Sequence, residues 1–197
     1  MLKVMIFIDG SNLYRAMKKH LNRTDLDYAA FARFLTSPDR LIRAYFYNSP
    51  PPPPMDAAIH QAYERFKRRL ERTDYFEVRL GRIVEREFEC LDANGQSRVD
   101  SDGNKVKCYT FIQKGVDMRL GVDLVAASAG KHFDRGILVS ADGDFKEAVE
   151  KAKSFGAVVE VAAFHDCSQA LLDVCDKSIT LTPRNMKSLL MRKRLSR

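Results

Sequence analysis

Short apolar runs alternate with amphipathic stretches along most of this chain. Residues 3–8, 41–47, 75–80, 137–139, 157–163 and 179–181 have the length and the β-branched or aromatic content of buried strands. Between them, apolar residues recur at helical spacing. Leu13, Ala16, Met17 and Leu21 make one such face, and Tyr28, Phe31, Ala32 and Leu35 a second, with Asp27 as its cap. Ile59, Ala62, Phe66 and Leu70 make a third, in a helix predicted over roughly 55–72; Leu120 and Leu124 belong to a fourth, and Phe145, Ala148, Val149 and Ala152 to a fifth. Strands that alternate with helices predict an α/β fold, a mainly parallel sheet with helices on both faces.

The alternation breaks between residues 82 and 112. Two strand-like arms, 83–91 and 105–112, flank a tip rich in Gly, Asn, Asp and Ser, which reads as an inserted β-hairpin. Its readings are a gate over a site or a surface that pairs with a second copy in a homodimer, and Arg98, Lys105 and Lys107 are its candidate substrate contacts. Pro50–Pro54 holds five of the seven prolines and reads as a stiff connector. Pro183 ends the domain read over 1–182. The tail, 183–197, carries six basic residues and no acid, and reads as a docked helix, a disordered segment or a nucleic-acid arm.

At 197 residues the chain is long enough for one domain with a real core. No run approaches the length of a membrane span, and the first apolar run is too short for a signal peptide. The cysteines Cys90, Cys108, Cys167 and Cys175 lack C-x-x-C spacing, which predicts reduced thiols in a cytoplasmic protein. Cys90 and Cys108 face each other across the predicted hairpin, but two thiols alone do not make a zinc site. A formal net charge of +7 favours a polyanionic partner. Five of those cations, Arg65, Lys67, Arg68, Arg69 and Arg72, fall within eight positions of the third helix. They mark either a solvated face or a phosphate contact.

Candidate chemistry collects where strands end. The run at 137–139 leads into Ser140-Ala141-Asp142-Gly143-Asp144 and then a helix. The first strand leads into Asp9-Gly10-Ser11-Asn12 and then a helix. Ligands of open α/β sheets bind at the carboxyl ends of strands, so Asp9, Asp142 and Asp144 are placed for function. Asp117, in the first turn of the fourth helix, points to the same end, whereas Asp123 lies deeper in that helix and is the weaker candidate. The bland reading makes these residues turn and capping groups, with Ser11 capping the first helix. Four converging carboxylates repel one another unless a cation neutralises them, and oxygen donors suit Mg²⁺ or Mn²⁺. His165, past a strand end, is read as structural.

Three segments, FIDGSNLY (7–14), KGVD with its helix (114–124) and SADGDF (140–145), resemble in order the NYN domain family. The closest resemblance is to its LabA-like bacterial branch, a relative of PIN-domain ribonucleases. The resemblance spans roughly 1–182. It implies a PIN-like (Rossmannoid) fold and divalent-metal-dependent hydrolysis of RNA, single-stranded RNA included. It carries the metal role to Asp9, Asp117, Asp142 and Asp144, with Asn12 as a supporting polar residue. Ala141 stands where the family commonly has Gly, and Gln113 where an acid often precedes KGVD. The nucleic-acid candidates are Lys114, Arg65, Arg68, Arg69 and Arg72. The alternative is a non-catalytic or regulatory nucleic-acid-binding module that keeps the metal pocket. A phosphatase is disfavoured, because no second acid follows Asp9 two residues later.

Overall fold

The computed structural model describes residues 1–51 and 56–191. Six strands form one fully parallel sheet: β1 (Lys3–Asp9), β2 (Arg40–Asn48), β3 (Phe76–Leu80), β6 (Arg135–Val139), β7 (Val158–Ala163) and β8 (Lys177–Thr180). Their order across the sheet is β3-β2-β1-β6-β7-β8. The chain builds outward from β1 in one direction, then returns to β1's other side and builds the opposite way. That reversal puts a topological switch point between β1 and β6, where a crevice opens at the carboxyl ends of the strands.

The period-two alternation of strand side chains explains why both faces need helices. In β1, Val4, Ile6 and Ile8 join one core cluster, and Met5 and Phe7 the other. The first cluster is covered by α1 (Gly10–Leu21), α2 (Tyr28–Thr36) and α3 (Ala57–Glu71), through Leu13, Met17, Phe31, Leu35 and Leu70. The second is covered by α4 (Val116–Ala129), α5 (Lys146–Lys153) and α6 (Gln169–Leu172), through Leu120, Leu124, Val149 and Leu171. A short α7 (Pro183–Lys187) follows β8. Met186 is fully buried, Leu189 and Leu190 pack on the first cluster, and Leu190 bridges to Leu26. The tail's first part is therefore a docked helix, and residues 192–197 lie outside the described residues. So do Pro52, Pro53, Pro54 and Met55, which carry most of the predicted stiff connector and the first residue of the predicted third helix.

The insertion is a two-stranded antiparallel hairpin, β4 (Arg82–Glu89) with β5 (Lys107–Lys114), in register from Arg82 opposite Lys114 to Glu89 opposite Lys107. Lys105 and Lys107 pair with Glu89 and Glu87 across it, so both are committed within the hairpin.

One expectation is overturned here. Cys90 and Cys108 are joined in a disulfide, whereas only Cys167 and Cys175 are free. Antiparallel pairing sets Phe88 opposite Cys108 and brings the Cα atoms of Cys90 and Cys108 to 5.1 Å, within bonding reach. Composition and the inferred compartment carried no information about that approach. Among the described residues, no helix is long and apolar enough to cross a membrane.

A buried ion cluster closes the opposite, amino-terminal edge of the sheet. Arg135 donates to Glu160 at 2.9 Å and to the Thr36 carbonyl at 2.9 Å, and lies 3.3 Å from Asp39.

Candidate active site

Asp9 is the last residue of β1 and the N-cap of α1. Its Oδ1 accepts the Asn12 backbone N–H at 3.0 Å, so Asp9, not Ser11, caps this helix. Gly10 makes the tight entry possible, because a Cβ there would fall 2.4 Å from the Phe46 ring and 2.8 Å from the Tyr47 carbonyl oxygen. Ser11 instead donates from its hydroxyl to Asn48 Oδ1 at 3.2 Å, at the end of β2.

The loop after β6 mirrors that after β1. Asp142 caps a single 3₁₀ turn, Gly143–Phe145, its Oδ1 accepting the Asp144 backbone N–H at 3.1 Å, and α5 follows. Two side chains tie the loops together. Ser140 donates its hydroxyl to Asp9 Oδ2 at 3.2 Å and accepts the Asp142 N–H at 3.2 Å. Asn12 Oδ1 accepts the Ala141 N–H at 3.1 Å. Asn12 thus holds backbone to backbone across the switch point.

Asp117 reaches the same crevice from α4. Gly115 before it adopts a left-handed conformation (φ 84°), which turns the chain from β5 into the helix. Asp117 links the other acids. The residue is exposed, and its carboxyl is held above the ordinary range by partial desolvation and by the charges of Asp142 and Asp144. The Asp9 carboxyl is raised by burial, opposed by the Asn12 N–H, with Asp117 raising it further. The structure therefore brings Asp9, Asp117, Asp142 and Asp144 to one end of the sheet, Asp9 buried and Asp144 exposed.

Arg15 pulls the carboxyls of both Asp9 and Asp117 downward. No motif marks it. The only signal in the sequence is its place one helical turn beyond Asn12, on the helix that Asp9 caps.

The acids suit a divalent cation in donor chemistry, being hard carboxylate oxygens that raise one another's proton affinity. Among the described residues, no three acid, His or Cys side chains draw together into a closed metal-binding group. Mg²⁺ keeps several waters and binds through one or two carboxylates plus substrate phosphates.

Asp123 does not join them. It accepts from the Tyr47 hydroxyl at 2.9 Å and pairs with Arg79, whose guanidinium stacks 3.7 Å from the Tyr45 ring centroid. It locks α4 to β2 and β3. His165 packs edge-on to His20, 4.7 Å between centroids. Lys114 is exposed at the end of β5, directly before Gly115. Of the arginines predicted to meet nucleic acid, Arg69 lines a cleft beside the crevice. Arg65 and Arg68 are exposed on α3 and Arg72 is exposed at its C-cap, and none of the three lines that cleft.

That cleft, about 850 Å³, lies between α1, the end of β2 and α3, and Gly10, Ser11, Tyr14 and Arg15 form its border with the acids. On the far side, Asp117 and Asp144 edge an apolar groove between α4 and α5.

The NYN domain family model matches residues 3–182 of the chain. No curated protein matches it. A crystal structure of a protein of unknown function from Vibrio parahaemolyticus is similar over 96% of both chains, with a TM-score of 0.64 and 22% sequence identity; the likeness is one of fold.

Proposed function

This chain belongs to the NYN domain family, whose members are generally nucleases, and on that footing we propose that it is a divalent-metal-dependent endoribonuclease. The observation that supports the reading is that Asp117, in the first turn of α4, shares its electrostatic surroundings with Asp9 at the end of β1 and with Asp142 and Asp144 after β6, at the sheet's switch point.

In this reading Asp9, Asp117, Asp142 and Asp144 would hold Mg²⁺ or Mn²⁺. The ion, when bound, lowers the pKa of water and offsets charge on the phosphate under attack. The chain's own groups prepare the place. Ser140 fixes the Asp9 carboxylate by donating to it, and Asn12 fixes the spacing of the two loops. Arg15, exposed beside two acids, holds a non-bridging phosphate oxygen, and Lys114 and Arg69 extend the basic track for the RNA backbone. No protein nucleophile is needed, because water is the attacking group.

The second reading, a nucleic-acid-binding module without turnover, draws on the openness of the acid set. One experiment separates the two. End-labelled single-stranded RNA and DNA are incubated with Mg²⁺, Mn²⁺ or EDTA, with the wild type beside Asp142→Asn. Metal-dependent cutting of RNA that falls by about 100-fold or more in the variant supports the nuclease. Salt-sensitive binding without cutting, unchanged by the substitution, supports the binding module.

A further inference from the structure

The hairpin of β4 and β5 is a two-stranded sheet of its own. Two strands alone hold together only marginally in water, and further strands are the usual remedy. The Cys90–Cys108 disulfide staples this pair at its outer end. Its two long edges stay open: among the described residues, no backbone hydrogen bond joins residues 82–89 or 108–113 to anything but each other. The two edges are not alike. Natural edge strands are guarded by charge, proline or a bulge. β4 carries Glu85, Arg86, Glu87 and Glu89 along its length. β5 is uncharged from 108 to 113, has neither proline nor glycine, and runs in unbroken register along β4.

Composition says what kind of partner the open edge suits. Between residues 82 and 114 six cations and six acids cancel, in a chain whose net charge is +7. Phe88, Leu91, Val99 and Tyr109 all stand exposed on this segment. A neutral arm with exposed apolar groups suits a protein surface and not a polyanion. Symmetry then selects which protein. Opposed side chains in a two-fold antiparallel pair lie on one face, so the axis must pass through a residue and its own copy. For β4, an axis at Glu85 or at Arg86 sets like charges against each other. For β5, an axis at Thr110 sets Thr110 against its copy, Tyr109 against the partner's Phe111 and Lys107 against the partner's Gln113. No like charges are opposed, and threonine and aromatic cross-strand pairs are favourable ones.

We propose that β5 is a homodimer edge: two copies of this chain pair antiparallel through β5 about Thr110, making one continuous four-stranded sheet in the order β4-β5-β5-β4. Each copy supplies the strands that the other's hairpin lacks, and the charged β4 edges close the sheet to further addition. The pairing uses none of the four acids at the sheet's switch point, so it stands or falls apart from the nuclease reading.

The test is sedimentation equilibrium of the full chain at about 1 to 100 μM, for wild type, Thr110→Glu, Thr110→Lys and an equimolar mixture of the two variants. Thr110 is exposed, so neither substitution touches the core, and matching far-UV spectra verify the fold. Wild type is expected to dimerise. Each variant alone is expected to dimerise at least about 10-fold more weakly, because it opposes like charges at the axis. The mixture is expected to regain the wild-type affinity, since opposite charges then meet there. A wild type that stays monomeric at every concentration overturns the proposal. So does a wild-type dimer that neither substitution weakens, which places the contact on another surface. Variants that dissociate and are not restored by mixing overturn it as well.

Discussion

Asn12 accepts the backbone N–H of Ala141 at 3.1 Å, one of two hydrogen bonds that join the end of β1 and its loop to the loop after β6. The two residues are far apart in sequence, yet their contact sets the distance between Asp9 and the Asp142–Asp144 turn. Asn12→Ala leaves the Ala141 N–H to water or unpaired and frees the loops to drift. The expected cost is about 1 kcal/mol in urea unfolding. Cleavage should fall by about 10 to 100-fold, as for groups that orient metal ligands. Asn12→Asp should not rescue it, since it adds a fifth acid to the crevice.

Asp9 should be a net cost to the fold near neutral pH. Its folded carboxyl titrates above the ordinary value of 3.8, so the folded state keeps a proton that the unfolded chain has lost. Its contribution to stability therefore declines as pH rises from about 3.8 through the folded value, and the penalty is complete above it. Asp9→Asn keeps an oxygen for the Asn12 N–H and carries no charge. Thermal melts of wild type and variant should diverge across that window, the variant melting higher at pH 7. An equal difference at pH 3 and pH 7 would show that Asp9 is not strained by its charge.

Ser140 donates to the Asp9 carboxylate and so holds its pKa down against burial. Ser140→Ala should move the acid limb of the pH–rate profile upward, because Asp9 would need a higher pH to lose its proton. An unmoved limb, with only the plateau lowered, would mean that Asp9 does not govern that limb.

Arg15→Ala should raise KM for RNA more than it lowers kcat, and should make the salt dependence of binding shallower by about one phosphate contact. Lys is a partial substitute, since it supplies charge without the bidentate fork.

Away from the site, Arg135→Ala strands the buried Glu160 carboxylate, which is 5% exposed, and should cost about 3–5 kcal/mol. Arg135→Met combined with Glu160→Leu should recover much of that loss. Denaturant unfolding of the two variants measures both.

Much of this fold is legible in the sequence, because a strand buried on both faces must be apolar throughout and Lys3–Asp9 and Arg135–Val139 nearly are. The acids at their ends are legible for the same reason: a carboxylate directly after such a run can only lie at the sheet's edge. The side chains that organise the acids are less so: the family resemblance supplies Asn12, but nothing points to Ser140 or Arg15. Asn12, Ser140 and Arg15 act across the β1–β6 junction, and nothing local says that two strands so distant in sequence are neighbours. The Cys90–Cys108 bond was misjudged because composition speaks to compartment, not to cross-strand distance.

The position of β1 between β2 and β6 also sets an order of assembly. During synthesis, β1, β2 and β3 emerge early and can pair, but β1 then presents an open flank until Arg135–Val139 leaves the ribosome. The acidic crevice spans that flank, so its loops can meet only after the late β6 arrives. A nascent or truncated chain that stops before β6 has an unpaired central strand and half a crevice. The acidic crevice is therefore completed only when β6 has docked against β1.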